Sequence, residues 1–144
     1  GDVSRDIRFA KDLAADIARR QLQDRIAMAG AVSAAHLAEL FAAADLFVLA
    51  SRFEGYGMVL SEAAIHALPM VATDVGAARK IVAPGAGVLV TPGDAAALRE
   101  ALRNVIASGE IRRRMAEIAR RHTDRLPQWR QSAEKFAGVL GQLS

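Results

Sequence analysis

The stretch SRFEGYGMVLSEAAIHALPMVATD, Ser51–Asp74, decides how this chain folds. It reads as a loop, then a helix from Gly57 to about Leu68, then a short buried strand over PMVATD. Pro69 ends the helix, because proline disfavours helical geometry in the residue before it. Between Glu54 and Asp74 the only formal charge is Glu62, in a run that is otherwise apolar or small. A carboxylate inside such a run costs free energy unless something pairs with it. Glu54 lies on the loop side of Gly55 and Gly57. The pattern asks what two carboxylates and a Gly-x-Gly turn hold together.

The segments on either side set the architecture. Upstream, LFVLAS (Leu46–Ser51) is a continuous apolar run suited to a strand covered on both faces. Ser33 is placed to cap a helix over Ala34–Ala44, with Leu37, Leu40 and Phe41 on its apolar face. Arg25–Gly30 reads as a short strand ending on glycine. Ile7, Ala10, Leu13, Ala14 and Ile17 mark a helix from about Ser4, its expected N-cap, to Gln21. Downstream, one or two helical turns fit Gly76–Val82, and GVLV (Gly87–Val90) is a further strand. Asp94 caps a helix over Ala95–Ala107, and a basic helix covers Glu110 to about His122. Pro127 opens a last helix carrying Trp129, Phe136, Val139 and Leu140.

Strands alternating with helices through short loops predict an α/β fold with a parallel sheet and right-handed crossovers. Ligands in such sheets bind at the carboxyl ends of the strands, here Gly30, Ser51, Asp74 and Thr91. Of these four places the loop after Ser51 is the richest in chemistry.

Composition narrows the function classes. The chain has 144 residues, a net charge of +3 and no cysteine, so disulfide frameworks and thiolate metal sites are excluded. His36, His66 and His122 fit no zinc spacing, and no metal site is expected. No apolar run is long enough to span a bilayer, and the charged amphipathic start has no secretory core, so a cytoplasmic location is expected. Arg112, Arg113, Arg114, Arg120, Arg121 and Arg125 form a basic tract. It reads as a solvated helix face, or alternatively as a peripheral contact with the inner face of an anionic membrane. No nucleic-acid partner is expected, since the tract has no interleaved aromatics.

At the Ser51 loop the two glycines permit close backbone approach and positive φ. The first amides of the following helix have no internal partner, and the helix dipole favours an anion there by about 0.3–1 kcal/mol when exposed. A phosphate or diphosphate suits that position. Glu62, in the second turn, leans back toward the same mouth. It would repel phosphate but could accept hydrogen bonds from the two vicinal hydroxyls of a ribose. Glu54 at the lip could accept from sugar hydroxyls. Two plainer readings stand beside this: Glu62 pairs with His66 or with an arginine of a neighbouring helix, and Glu54 is an exposed loop charge.

The segment SRFEGYGMVLSEAAIHALPMVATDVGA resembles the Glu-x7-Glu region of retaining GT-B glycosyltransferases, most closely family 4 (group 1). AAADLFVLASRFEG and GVLVTPGDAAALREAL extend the likeness in both directions over nearly the whole chain. The resemblance implies a Rossmann-like three-layer domain, the C-terminal donor-binding half of such an enzyme. Residues 1–144 would be a single partial domain lacking its first strand-helix-strand. It implies that Glu62 binds the ribose hydroxyls of the donor and that Glu54 contacts the transferred sugar as the catalytic carboxylate. Gly55, Tyr56, Gly57, Met58, Val59 and Leu60 would approach the diphosphate and sugar through their backbone. Val32, with Gly30 and Ala31, would lie against the base. The donor would be a UDP-, GDP- or ADP-sugar, with no other cofactor, and the acceptor a glycan, lipid or small molecule.

Two departures accompany the likeness. Ala67 stands where the family usually has glycine, which reads as a packing difference at the far end of the helix. The acceptor domain and the Arg/Lys pair that neutralises the diphosphate are not in this sequence, so the chain alone is expected to be inactive. The missing strands are also expected to leave a gap or open edge in the sheet, inviting strand exchange or a homodimer.

Two other functions fit parts of the pattern. A dinucleotide-binding oxidoreductase module would use Gly55 and Gly57 with Asp74 as the ribose contact, but Leu60 is too bulky for the third fingerprint position. A non-catalytic membrane-docking module would rest on Arg112–Arg125.

Overall fold

The computed structural model describes residues 3–55 and 57–123. Tyr56, Arg125 and the expected helix after Pro127 lie outside the described residues. The chain divides into two compact units between Leu40 and Phe41.

In the first unit a 3-10 turn, Val3–Asp6, leads into helix α1, Ile7–Arg19. The cap is Asp6 rather than Ser4: its carboxylate accepts from the Phe9 N–H at 2.9 Å. A carboxylate at this position also complements the helix dipole, which a serine does not. The expected strand at Arg25–Gly30 does not form. The N–H groups of Arg25 and Ile26 both donate to the Leu22 carbonyl, which continues the turn after α1. Ala and Met are weak strand formers, and Ile26 and Met28 stay exposed. Ser33 acts as the predicted cap, accepting from the His36 N–H at 3.2 Å at the start of α2, Ala34–Ala43.

The second unit holds a three-stranded parallel sheet in the order β1 (Phe47–Leu49), β2 (Met70–Thr73), β3 (Gly87–Val90). Phe47 pairs with Met70, and Met70 with Gly87, so the three carboxyl ends lie side by side. All four residues of β2 are buried, as its unbroken apolar run predicts for a central strand. The crossovers carry α3 (Met58–Ile65) and the single turn α4 (Ala78–Ile81), which touch each other. Right-handed crossovers in one direction put both on one face of the sheet. On the other face Val71, Val88 and Val90 pack against Ala97, Leu98, Ala101, Leu102 and Val105 of α5 (Ala95–Ala107). The three layers of the expected α/β fold are thus present.

The last described helix, α6 (Gly109–Thr123), contacts both α3 and α5. Met115 joins the α5 core, and Ala119 packs with Ala83 and Ala86. Ser108 caps it by accepting from the Ile111 N–H at 3.2 Å. Arg112 donates to the Val105 and Ile106 carbonyls at 2.9 and 2.6 Å, closing the C-terminus of α5. Arg121 is paired with Glu117. Those two members of the basic tract therefore have intramolecular partners. No helix among the described residues is long and apolar enough to cross a membrane.

Candidate functional site

The loop after β1 begins under restraint. The Thr73 hydroxyl, 5% exposed at the end of β2, lies 2.6 Å from the Ser51 carbonyl oxygen and 3.4 Å from that of Leu49. The last residues of two neighbouring strands are thereby tied where the loop departs. Phe53 stands 86% exposed beyond that point, and Glu54 is half-buried.

Gly57 is the N-cap of α3 with φ +77°, in the left-handed region. Its carbonyl accepts from the Leu60 and Ser61 N–H groups. A glycine cap offers no side chain to the helix start. Among the described residues the Met58 and Val59 amides therefore have no partner and can meet an outside acceptor. Of the two glycines expected to permit positive φ, Gly57 adopts it and Gly55 does not, so the left-handed angle requires glycine only at the second position.

α3 buries Leu60, Ala63 and Ala64. Glu62 is on the opposite side, exposed, with exposed Met58 one turn before it and exposed Ile65 about one turn after. The carboxylate is therefore not inside an apolar environment, although its sequence neighbours suggest one. It makes neither a hydrogen bond nor an ion pair among the described residues. Both pairing alternatives fail there: His66 stacks on the Phe41 ring at 5.3 Å and 17°, and no arginine of α6 reaches Glu62. Helical geometry directs the Glu62 side chain toward the α3 N-terminus. Asp74, the candidate ribose contact of the dinucleotide reading, is paired with Arg79.

Val32 lies in the first unit, half-buried in the loop before α2. Gly55 is exposed. Among the described residues, cavities lie at both ends of the sheet. One of about 170 Å³, lined by Ala50, Arg52, Thr73, Thr91 and Leu98 among others, lies at the carboxyl ends on the α5 side. A wider cleft of about 400 Å³, lined by Phe41, Asp45, His66, Pro69, Arg112 and Arg113 among others, lies at the amino ends, away from the Ser51 loop. Its size is not matched by chemistry: Arg112 is engaged with α5, and the aromatic pair closes one wall.

Ala67 is the residue whose role changes most. It has φ +53°, and its N–H donates to the Ala64 carbonyl while that of Leu68 donates to Ala63. This is a Schellman ending, and Ala67 occupies the left-handed position that usually holds glycine. The departure from the family's glycine is thus a backbone matter rather than a packing one. It also explains why α3 stops at Ile65, before the Pro69 signal acts. Gln21 closes α1 in the same way, at φ +55°. Gly76, which local pattern marks only as a helix start, rests against the Glu54 carbonyl. Its sequence signal is weak, since many loops begin with Val-Gly.

The parallel sheet with helices on both faces, and the Gly-capped α3 beside it, define an α/β domain of the Rossmann-like kind. Residues 9–122 match the sequence profile of the Glycosyl transferases group 1 family, and the chain belongs to that family. It is 33% identical over 109 residues to the Alpha-D-kanosaminyltransferase of Streptomyces kanamyceticus, covering 75% of this chain and 28% of that protein. Among solved structures it resembles the sucrose-phosphate synthase of Thermosynechococcus elongatus (TM-score 0.81, 28% identity, 92% of this chain and 34% of that one). It also resembles Anabaena HepE, solved in complex with UDP (TM-score 0.81, 27% identity, 92% and 36%). The chain thus spans about a third or less of each of these relatives.

Proposed function

We propose that this chain is the donor-binding part of a retaining glycosyltransferase, and that the site is the mouth formed by the Ser51–Gly57 loop and the start of α3. One observation carries the reading: Glu62 is a solvent-facing carboxylate without a partner among the described residues, on a helix whose start is capped by glycine; helical side chains lean toward that start. The Met58 and Val59 amides, with Gly55 and Gly57, would take the diphosphate of a UDP-, GDP- or ADP-sugar. Glu62 would accept hydrogen bonds from the ribose hydroxyls, and Glu54 would contact the transferred sugar. The UDP held by HepE supports this class of ligand.

In the transfer the bond from the anomeric carbon to the diphosphate breaks, a bond to the acceptor hydroxyl oxygen forms on the same face of the sugar, and the hydroxyl proton passes to the departing diphosphate. Negative charge grows on the departing diphosphate, where fixed amide dipoles stabilise it without reorganising. Turnover would also need the acceptor-binding and diphosphate-neutralising parts that the family resemblance implies. No metal or further cofactor is assigned a role.

Titration calorimetry of the 144-residue chain with UDP, GDP, ADP and NAD tests the reading. Heat from at least one nucleoside diphosphate and none from NAD is the expected result. Tight NAD binding with no response to the diphosphates would replace it with the oxidoreductase reading.

A further inference from the structure

We infer that the segment after β2, through Gly76 above all, sets the conformation of the Ser51–Gly57 loop and so positions Glu54 and the donor-facing amides. The inference rests on the proposed donor site for its functional meaning, but the bracing itself does not depend on any ligand.

The contact is backbone against backbone. A Cβ built on Gly76 would lie 1.9 Å from the Glu54 carbonyl oxygen and 2.7 Å from that of Gly55. Neither atom belongs to a flexible side chain, so one of the two loops would have to move to make room. The 3.4–4 Å of ordinary contact gives the scale: the Glu54–Gly55 peptide would shift by more than an ångström, on the order of what costs about a hundredfold in a positioned reaction. Gly76 also has φ +55°, a region where a side chain is strained whatever the space.

Two other contacts from the same segment act on the same loop. Thr73 holds the Ser51 carbonyl at the loop's start. At its end, the Ile81 Cδ1 atom lies 3.2 Å from where a Gly57 Cβ would be, so a side chain there would be crowded. Residues 73 and 76, which the Glu-x7-Glu pattern does not include, therefore hold the loop at its beginning and middle. Gly76 and Thr73 are positioning residues: they act through the Glu54–Gly55 peptide and the Ser51 carbonyl.

The test compares Gly76→Ala with Gly93→Ala. Gly93 is a fitting control, because it has φ +84° but open space where its Cβ would stand, so it shares the backbone strain without the collision. Amide NMR spectra of the full chain should show Gly76→Ala moving the Gly55, Gly57 and Leu60 signals while those of Val71 and Val105 stay in place. Gly93→Ala should leave the loop signals unmoved. UDP, GDP and ADP titrations should then show at least about a tenfold weaker affinity for Gly76→Ala alone. Unmoved loop amides in Gly76→Ala would overturn the inference whether or not a nucleotide binds. If the parent chain binds none of the three while the amides move as stated, the bracing stands and the donor-site reading falls. Should Gly76→Ala not fold, Thr73→Val decides. It removes one hydroxyl and should speed hydrogen exchange across residues 51–57 but not in α5. Equal exchange in both segments would overturn the inference.

Discussion

α3 and α6 touch each other and use charge in opposite ways. α3 has one charged residue among eight, Glu62, and nothing among the described residues pairs with it. α6 has five arginines and two glutamates. Arg112 closes the end of α5, and Arg121 is paired with Glu117 on the exposed surface. Arg112 and Arg121 are thus absorbed into a helix end and an i,i+4 pair, while Arg113, Arg114 and Arg120 are exposed with no partner among the described residues. Glu62 is likewise exposed and unpaired there, but it lies on a glycine-capped helix. Position relative to a helix start therefore separates the two helices better than density of charge does.

This contrast can be broken by experiment. The largest expected effect is on Glu62→Ala. Hydrogen bonds to a charged group contribute about 1.5–3 kcal/mol, so nucleotide affinity measured by calorimetry should fall by roughly ten- to a hundredfold. The exposed side chain supports no packing, so the melting temperature should stay within the scatter of surface substitutions. A loss of stability with unchanged affinity would make Glu62 a structural residue and erase the difference between the helices.

Next in size is Arg112→Ala. It removes two charge-assisted bonds to the last carbonyls of α5, and urea denaturation should show a loss of about 1–2 kcal/mol. Nucleotide affinity should not change. If affinity fell as far as for Glu62→Ala, the arginine would belong to the ligand site after all.

The smallest effect sharpens the comparison at the other end of α3. Ala67→Gly relieves a left-handed alanine in the Schellman ending and should raise stability by about 0.5–1 kcal/mol. The same change at Gln21 should act similarly on α1. A loss of stability in Ala67→Gly would mean that the alanine methyl, which packs near Ala83 and Ala86, is worth more than the strain it brings.

Much of this was legible in the sequence. The apolar run of β2, the Asp94 cap and the span of α5 follow from local pattern, because each depends on residues within a few positions of one another. Gly57 was legible for the same reason: a turn into a helix after a buried strand requires a residue that tolerates positive φ. The strand at Arg25–Gly30 was misread because a strand exists only with a neighbour to bond, and periodicity carries no information about neighbours. The Ser4 cap was misplaced by two residues, since several polar residues near a helix start compete and only the realised bond chooses among them.

The sequence by itself determined the order of strands and helices from α2 to α6, the glycine-capped α3 and the family to which the chain belongs. Those depend on short-range geometry and on a motif written in consecutive residues. The tertiary structure alone decided that Glu62 faces solvent unpaired, that Arg112 closes α5, that Ala67 carries the left-handed turn, and that Gly76 rests on the Glu54 carbonyl. The physical reason is the same in each case. Exposure, pairing and collision are set by groups that are distant in the chain or by a backbone angle the side chain does not announce, and they become definite only when the chain has closed on itself.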